Sequence, residues 1–285
     1  SYDSNYEQEH NGYNSTNGAL KGWGSQLSDN QKMSGQLFDN SDTDFYYITA
    51  TEPGSLKVNF DPSIDSSYTD YYKVTLQDSD FNTLSSFETG QNGEITAAVA
   101  TAGMYWVKVE ATDYYHSDSV YGITASLSTQ TGTVETEDND VVAKSDELTA
   151  GTELKGQLSS SSDIDWFQYT ATSAASLNLA FDLPTNSSYT DYFSIQILED
   201  GDTVFSGVET GKDGSLKASI SQAGTYYIKV TSTDYYHDSG QYGLTLTEGS
   251  YDSNYEQEHN GYNNTNGALK GLSLIHISEP TRLGF

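Results

Sequence analysis

The sequence predicts an all-β protein of two tandem antiparallel β-sandwich, jelly-roll-like domains, and three observations carry that prediction. Apolar residues recur at every second position in short runs. Turn-forming residues separate the runs at regular intervals, with almost no helical period between them. The chain also repeats itself at a constant offset of 121 residues, from Asp42 to Asp163, which is a domain-sized period.

Each half supplies the same strands in the same order. Leu56, Val58 and Phe60 alternate with Lys57 and Asn59, as Leu177, Leu179 and Phe181 do in the second half. Tyr72, Val74 and Leu76 form a further face, matched by Phe193, Ile195 and Ile197. Tyr105, Val107 and Val109 point one way, with Trp106, Lys108 and Glu110 opposite. Tyr121, Ile123, Ala125 and Leu127 close the first half, and Tyr242, Leu244 and Leu246 the second. Turns are expected at Asp78-Ser79-Asp80, Gln91-Asn92-Gly93, Asp200-Gly201-Asp202 and Lys212-Asp213-Gly214. The count comes to about seven or eight strands per half, enough for a sandwich.

The repeat sets the domain limits. Ser66 to Tyr71 (Ser-Ser-Tyr-Thr-Asp-Tyr) returns at 187–192, Glu88-Thr89-Gly90 at 209–211, and Thr112-Asp113-Tyr114-Tyr115-His116 at 233–237. The acidic heads align at a longer offset, Glu7 falling on Glu135, so the first half carries extra residues near Gly22-Trp23-Gly24. The expected organisation is domain one at 1–128, a linker at 129–132, domain two at 133–248, and the truncated head of a third repeat at 249–271. That third head copies Ser1 to Gly22 with one change, Ser15 to Asn264. Residues 272–282 resemble the translation of a sequencing adapter, and 272–285 are set aside as derived from it. Lacking an initiating Met, the chain reads as a fragment of a longer protein.

Composition excludes several classes of function. The 41 acidic residues outnumber the 12 basic ones, for a formal charge of −29. Such a surface repels nucleic-acid phosphates and anionic membranes, and suits a cation-rich medium or bound divalent ions. With no cysteine, thiolate metal sites and Cys nucleophiles are absent. No run is long and apolar enough to insert in a membrane. Neither a Gly-x-Ser-x-Gly elbow nor a His-Glu-x-x-His helix occurs, and His116 and His237 sit alone in tyrosine-rich loops. The expectation is a non-enzyme.

Two constellations remain. Asp42 and Asp44 precede an aromatic run, as do Asp163 and Asp165. On a strand, residues two apart share a face, so each pair of like charges needs a counter-ion or hydrogen bonds. The second constellation is tyrosine-rich. Tyr68 and Tyr71 precede one strand and Tyr114 and Tyr115 follow another, with Tyr189, Tyr192, Tyr235 and Tyr236 as counterparts. If those strands run antiparallel, the tyrosines meet at one rim. There they either present flat amphipathic surface to sugars or extended peptides, or plug the end of the sandwich.

Each half resembles the bacterial pre-peptidase C-terminal domain and is similar to the collagen-binding domains of clostridial collagenases. The matching elements are the acidic head (Glu135 to Asp140), Gly156-Gln157-Leu158, Asp163-Ile164-Asp165-Trp166, the strand Ala223 to Val230, and Tyr242-Gly243-Leu244. The resemblance covers nearly all of 1–128 and 133–248 and implies calcium where the head meets the aspartate pair. For domain two it implies Glu135, Glu137, Asn139, Asp140, Asp163 and Asp165. For domain one it implies Glu7, Glu9, Asn11, Asp42 and Asp44, a poorer set because Gly12 replaces the aspartate. Calcium takes about 6–8 oxygen ligands, and a Glu-x-Glu-x-Asn run in extended form would offer three on one face. The implied role is a calcium-stabilised binding or spacer module in a secreted or cell-surface bacterial protein, flanked by further repeats. Its expected partner is a polysaccharide or an extended extracellular protein. Two other roles fit the same residues: the accessory region of a secreted peptidase, and a structural adhesin-type repeat.

Overall fold

The computed structural model describes residues 5–6, 24–112, 114–233 and 235–251. The first half contains β1 (Ser25–Gln26), β2 (Lys32–Gly35), β3 (Thr43–Ala50), β4 (Gly54–Pro62) and β5 (Tyr72–Gln77). It continues with β6 (Thr83–Thr89), β7 (Gly93–Val99), β8 (Gly103–Ala111) and β9 (Tyr121–Thr129). The second half opens with β10 (Thr133–Val134), a 3₁₀ turn at Val142–Lys144, β11 (Asp146–Glu147) and β12 (Glu153–Gly156). Then come β13 (Ile164–Ala171), β14 (Ala175–Asp182), β15 (Phe193–Leu198), β16 (Val204–Thr210), β17 (Gly214–Ile220), β18 (Gly224–Ser232) and β19 (Tyr242–Ser250).

Each half folds into two facing sheets. In the first they run β2-β9-β4-β7 and β1-β3-β8-β5-β6; in the second, β10-β12-β19-β14-β17 and β11-β13-β18-β15-β16. Setting aside the short parallel edge strands β1, β10 and β11, each half is an eight-stranded jelly roll with four strands per sheet. Register repeats with the sequence, Asp44 facing Val109 as Asp165 faces Val230. The parallel bridge Tyr6–Ser34 falls where Val134 pairs with Lys155 in the second half.

Strict alternation explains the layers. Along β4 Leu56, Val58 and Phe60 are buried while Lys57, Asn59 and Asp61 are exposed, so one face meets the core and the other meets water. Each half has its own core, and Leu37, Tyr72 and Val107 in one correspond to Leu158, Phe193 and Ile228 in the other. Domain one carries a second small cluster on the outer face of its β3-β8 sheet. There Trp106 is fully buried, with Phe81 stacked at 5.2 Å and Phe45 edge-on at 6.4 Å. Phe81 has φ +66, a costly backbone for an aromatic residue, and its ring lies on the indole.

Strand limits shift two boundaries. β9 runs through Thr129 and β19 through Ser250, which pairs with Ala175. The linker therefore begins at 130, and residues 249 and 250 belong to the second sandwich because their backbones complete its ladder. Residues 252–271 of the expected third head, the adapter-like tail, and Gly22 and Trp23 lie outside the described residues.

The glycine of the Gly-Gln-Leu motif has a steric reason. A Cβ on Gly156 would sit 2.4 Å from the Tyr242 hydroxyl, and one on Gly35 would sit 2.2 Å from that of Tyr46 and 2.5 Å from that of Tyr121. These contacts are far inside van der Waals range, and they would displace the Tyr242 and Tyr121 hydroxyls from buried Asp165 and Asp44 and the Tyr46 hydroxyl from that of Tyr121. Gly156→Ala should therefore destabilise domain two by about 1–3 kcal/mol. The expected result in thermal melting is a lowered transition for that domain and an unchanged one for domain one.

Candidate functional site

The head of domain two leaves the sheet almost at once. β10 ends at Val134, and Glu135 to Asp140 are irregular, with a cis peptide between Glu137 and Asp138. The extended Glu-x-Glu-x-Asn run expected from the sequence is not formed. Its backbone finds other partners, since Thr136 N–H donates to Asp146 Oδ2 at 2.7 Å rather than to a ladder. Acidic residues disfavour strands in any case. The carboxylates still converge, by a bent path.

Glu135, Glu137 and Asp165 bring oxygens within 4.8 Å of one another. Glu135, Asn139 and Asp165 are fully buried. Glu135 Oε1 accepts from Gln157 N–H at 2.5 Å, and Oε2 accepts from Asn139 Nδ2 at 3.3 Å. Asp165 Oδ2 accepts from the Tyr242 hydroxyl. Three oxygens are buried without a hydrogen-bond partner: Glu137 Oε1, Asn139 Oδ1 and Asp165 Oδ1. Among the described residues none of the ion pairs reaches the cluster; Lys144 pairs with exposed Asp138 instead. Buried polar atoms are nearly always satisfied, so three orphaned acceptors in one place leave the cluster short of a compensating partner.

The first aspartate of each pair does something different from the second. Asp163 precedes β13 and caps its turn, accepting from Ser159 N–H at 2.5 Å and Ile164 N–H at 2.9 Å. Asp42 does the same with Phe38 N–H at 2.7 Å and Thr43 N–H at 2.9 Å. The first aspartate of each pair is thus committed to its turn as well, though in domain two buried Asp163 still repels Asp165 and Glu137. Asp140 is exposed and also accepts from Ile164 N–H, at 3.1 Å. In domain one Asp44 is buried and accepts from the Tyr121 hydroxyl at 2.5 Å, with the Tyr46 hydroxyl 2.7 Å from that of Tyr121. Phe167 stands in place of Tyr46 in domain two. Glu7, Glu9 and Asn11 lie outside the described residues.

Three contributors escaped sequence reasoning. Asp146 accepts from Thr136 N–H and from Asn139 Nδ2, fixing the head from below. Tyr242 supplies the hydroxyl to Asp165. Gln157 bonds Glu135 through its backbone, and its side chain donates to Ser239 O at 2.5 Å and accepts from Ser55 Oγ of domain one at 2.8 Å. The signal was present in the Gly-Gln-Leu and Tyr-Gly-Leu motifs, whose polar members recur at the repeat offset.

The tyrosines meet as the antiparallel pairing of β5 with β8 requires. Tyr71 stacks on Tyr115 at 5.0 Å and 19°, and Tyr68 tilts against Tyr115 at 5.8 Å. Domain two repeats this with Tyr192 on Tyr236 at 4.9 Å and Tyr189 on Tyr236 at 5.8 Å. Only Tyr71 and Tyr192 pack on the cores. Tyr68, Tyr114, Tyr115, Tyr189, Tyr235 and Tyr236 are exposed, so for these six the end-plug reading fails. His116 and His237 each place Nε2 on a backbone carbonyl, Leu37 O at 3.2 Å and Leu158 O at 3.0 Å.

No family model matches the chain, and no curated protein does. Solved structures with similarity include tandem family 51 carbohydrate-binding modules of a family 98 glycoside hydrolase from Streptococcus pneumoniae. That match has 13% identity over 77% of this chain and 84% of the other, with a TM-score of 0.28. The pre-peptidase C-terminal domain of a Bacillus anthracis collagenase matches with 17% identity over 35% of this chain and 91% of that one, TM-score 0.29. The CUB1-EGF-CUB2 region of human MASP-1/3 matches with 13% identity over 76% and 99%, TM-score 0.26.

Burial, and then mutual repulsion, raises the carboxyls of Glu135 and Asp165 well above their ordinary range, and carries Glu137 to about 10. An acid whose folded pKa is raised favours folding while protonated. Its stabilisation is complete below the unfolded pKa of about 4 and is lost as pH rises towards the folded value. In chelator, the melting temperature of domain two should therefore fall steadily from pH 5 to pH 8. A flat profile in chelator would contradict the cluster.

Proposed function

We propose that the chain is a calcium-stabilised, non-catalytic binding and spacer region of a secreted or cell-surface bacterial protein. The observation that carries the calcium is the trio of buried acceptors without donors: Glu137 Oε1, Asn139 Oδ1 and Asp165 Oδ1. A bound cation satisfies all three and removes the repulsion among Glu135, Glu137 and Asp165. The donors are oxygens, which suits a hard ion rather than zinc. Magnesium keeps several waters and demands a near-ideal octahedron, a poor match for ligands this deeply enclosed. Glu135, Glu137, Asn139 and Asp165 would hold the ion, with Asp140 and Asp163 at its edge. When bound, it supplies charge neutralisation and ties the head to β13.

The same burial argues against catalysis. A general acid or base must reach the proton it transfers, and Glu135 and Asp165 are closed to solvent. In domain one the corresponding set is Glu7, Glu9 and Asn11 with Asp44, short of one aspartate, so the second module should bind the tighter ion. Extracellular modules commonly bind calcium at about 10⁻⁴–10⁻³ M, in keeping with a location outside the cell.

Melting of the full chain in excess calcium and in chelator tests this reading. At about 100 times the dissociation constant, linkage adds about 2.7 kcal/mol to the liganded domain. Its transition should rise, and Asp165→Asn should abolish the rise while leaving domain one unaffected. Identical melting with and without calcium, together with no heat in a calorimetric calcium titration, would overturn it.

A further inference from the structure

Between the two domains several buried core positions have exchanged, while the exposed rim tyrosines have not. Five core positions exchange across the repeat: Val58 for Leu179, Tyr72 for Phe193, Val74 for Ile195, Val107 for Ile228 and Ala125 for Leu246, all buried. The exposed tyrosines do not exchange. Tyr114 and Tyr235 are both 79% exposed, and Tyr68 and Tyr189 are 62% and 61% exposed. Packing accounts for tolerance of apolar swaps in a core; it gives no reason to keep a ring that touches mostly water.

Other identical motifs build the same rim. Thr112 N–H donates to Tyr71 O at 3.4 Å and Thr233 N–H to Tyr192 O at 3.3 Å, while both threonine hydroxyls reach the carbonyl of the preceding aspartate in the neighbouring loop, Asp70 or Asp191. Gly90 and Gly211 let that loop approach, since a Cβ there would meet Tyr68 O at 2.2 Å and Tyr189 O at 2.4 Å. Ser66 N–H and Ser187 N–H donate back to those glycine carbonyls at 3.0 and 2.9 Å. His116 and His237 anchor the other loop. The loops that carry the rings are therefore held in place before any ligand arrives, which lowers the entropic cost of binding.

We propose that each rim is a binding site for neutral polysaccharide, used in pairs along the chain. This names a ligand for the binding module proposed above; it rests on that reading but not on the calcium. The exposed ring faces carry the negative side of the aromatic quadrupole, which accepts the weakly positive C–H face of a pyranose. Asp70 and Asp191 at the rim are acceptors that suit sugar hydroxyl donors. Neither 62–72 nor 111–121, nor their counterparts in domain two, contains Lys or Arg, so anionic polymers meet like charge. A strand-adding peptide needs free backbone groups, whereas these loops bond theirs to each other. A proline-rich helix presents carbonyl acceptors where the rim offers carboxylates.

Co-sedimentation of the full chain with microcrystalline cellulose, chitin and insoluble (1→3)-β-glucan tests this, with heparin–agarose and fibrillar collagen in parallel, each in calcium and in chelator. Retention on at least one neutral glycan is expected. Tyr68→Ala with Tyr114→Ala should weaken it by at least about tenfold through lost bivalency. Adding Tyr189→Ala and Tyr235→Ala should abolish it, with melting unchanged because all four rings are exposed. Retention on none of the neutral glycans, retention that survives the fourfold variant, or tyrosine-dependent retention on collagen or heparin alone would each overturn it. Glycan retention without a calcium-dependent melting shift would sink the cation and leave the rim standing; the converse result would sink the rim alone.

Discussion

A carboxylate sealed from water governs the architecture of each module. Asp165 and Asp44 sit on the second position of a strand that pairs tightly with its neighbour, so neither can swing out to solvent. Each is gripped by a tyrosine hydroxyl from the last strand of the opposite sheet, which joins the two sheets through a polar contact at one end of an otherwise apolar core. The glycine facing that hydroxyl and the turn that precedes the strand are shaped around this one carboxyl, and in domain two the head folds over it. A burial so costly persists only where the surroundings supply compensation, and in domain two the head brings further carboxylates rather than a cationic side chain.

The layers were fully legible, because alternation and repetition are read directly from residue order. Leu56, Val58 and Phe60, and their counterparts, pointed inward as the period of two requires. The site was legible by residue type but not by path. An extended head was the simplest way to gather Glu135, Glu137 and Asn139, yet Asp146 captures the backbone of Thr136 and bends it. That capture joins residues ten apart through a 3₁₀ turn, and no periodicity announces it. The division of labour within Asp163 and Asp165 was equally hidden, since one residue of strand start separates a turn cap from a fully buried carboxyl.

The tyrosine loops show the opposite case, in which the local signal was plain and its burial was not. Aromatic residues beside strands read equally well as plugs or platforms. Solvent exposure separates Tyr71 and Tyr192, which lean on the cores, from the six that face outward. Comparing the halves then adds what a single copy lacks: a record of which positions drift and which do not.

Gln157 and Gln36 occupy equivalent places and make the same local bond, to Ser239 O and Asp118 O. Gln36 is exposed, while Gln157 is covered by Ser55 of the preceding domain. The contact between domains is thus laid over a residue already committed within its own module, and Gln241 adds a bond to Gly54 O at 3.0 Å. Loss of domain one would therefore remove the junction and leave the bonds that Gln157 makes inside its own module in place.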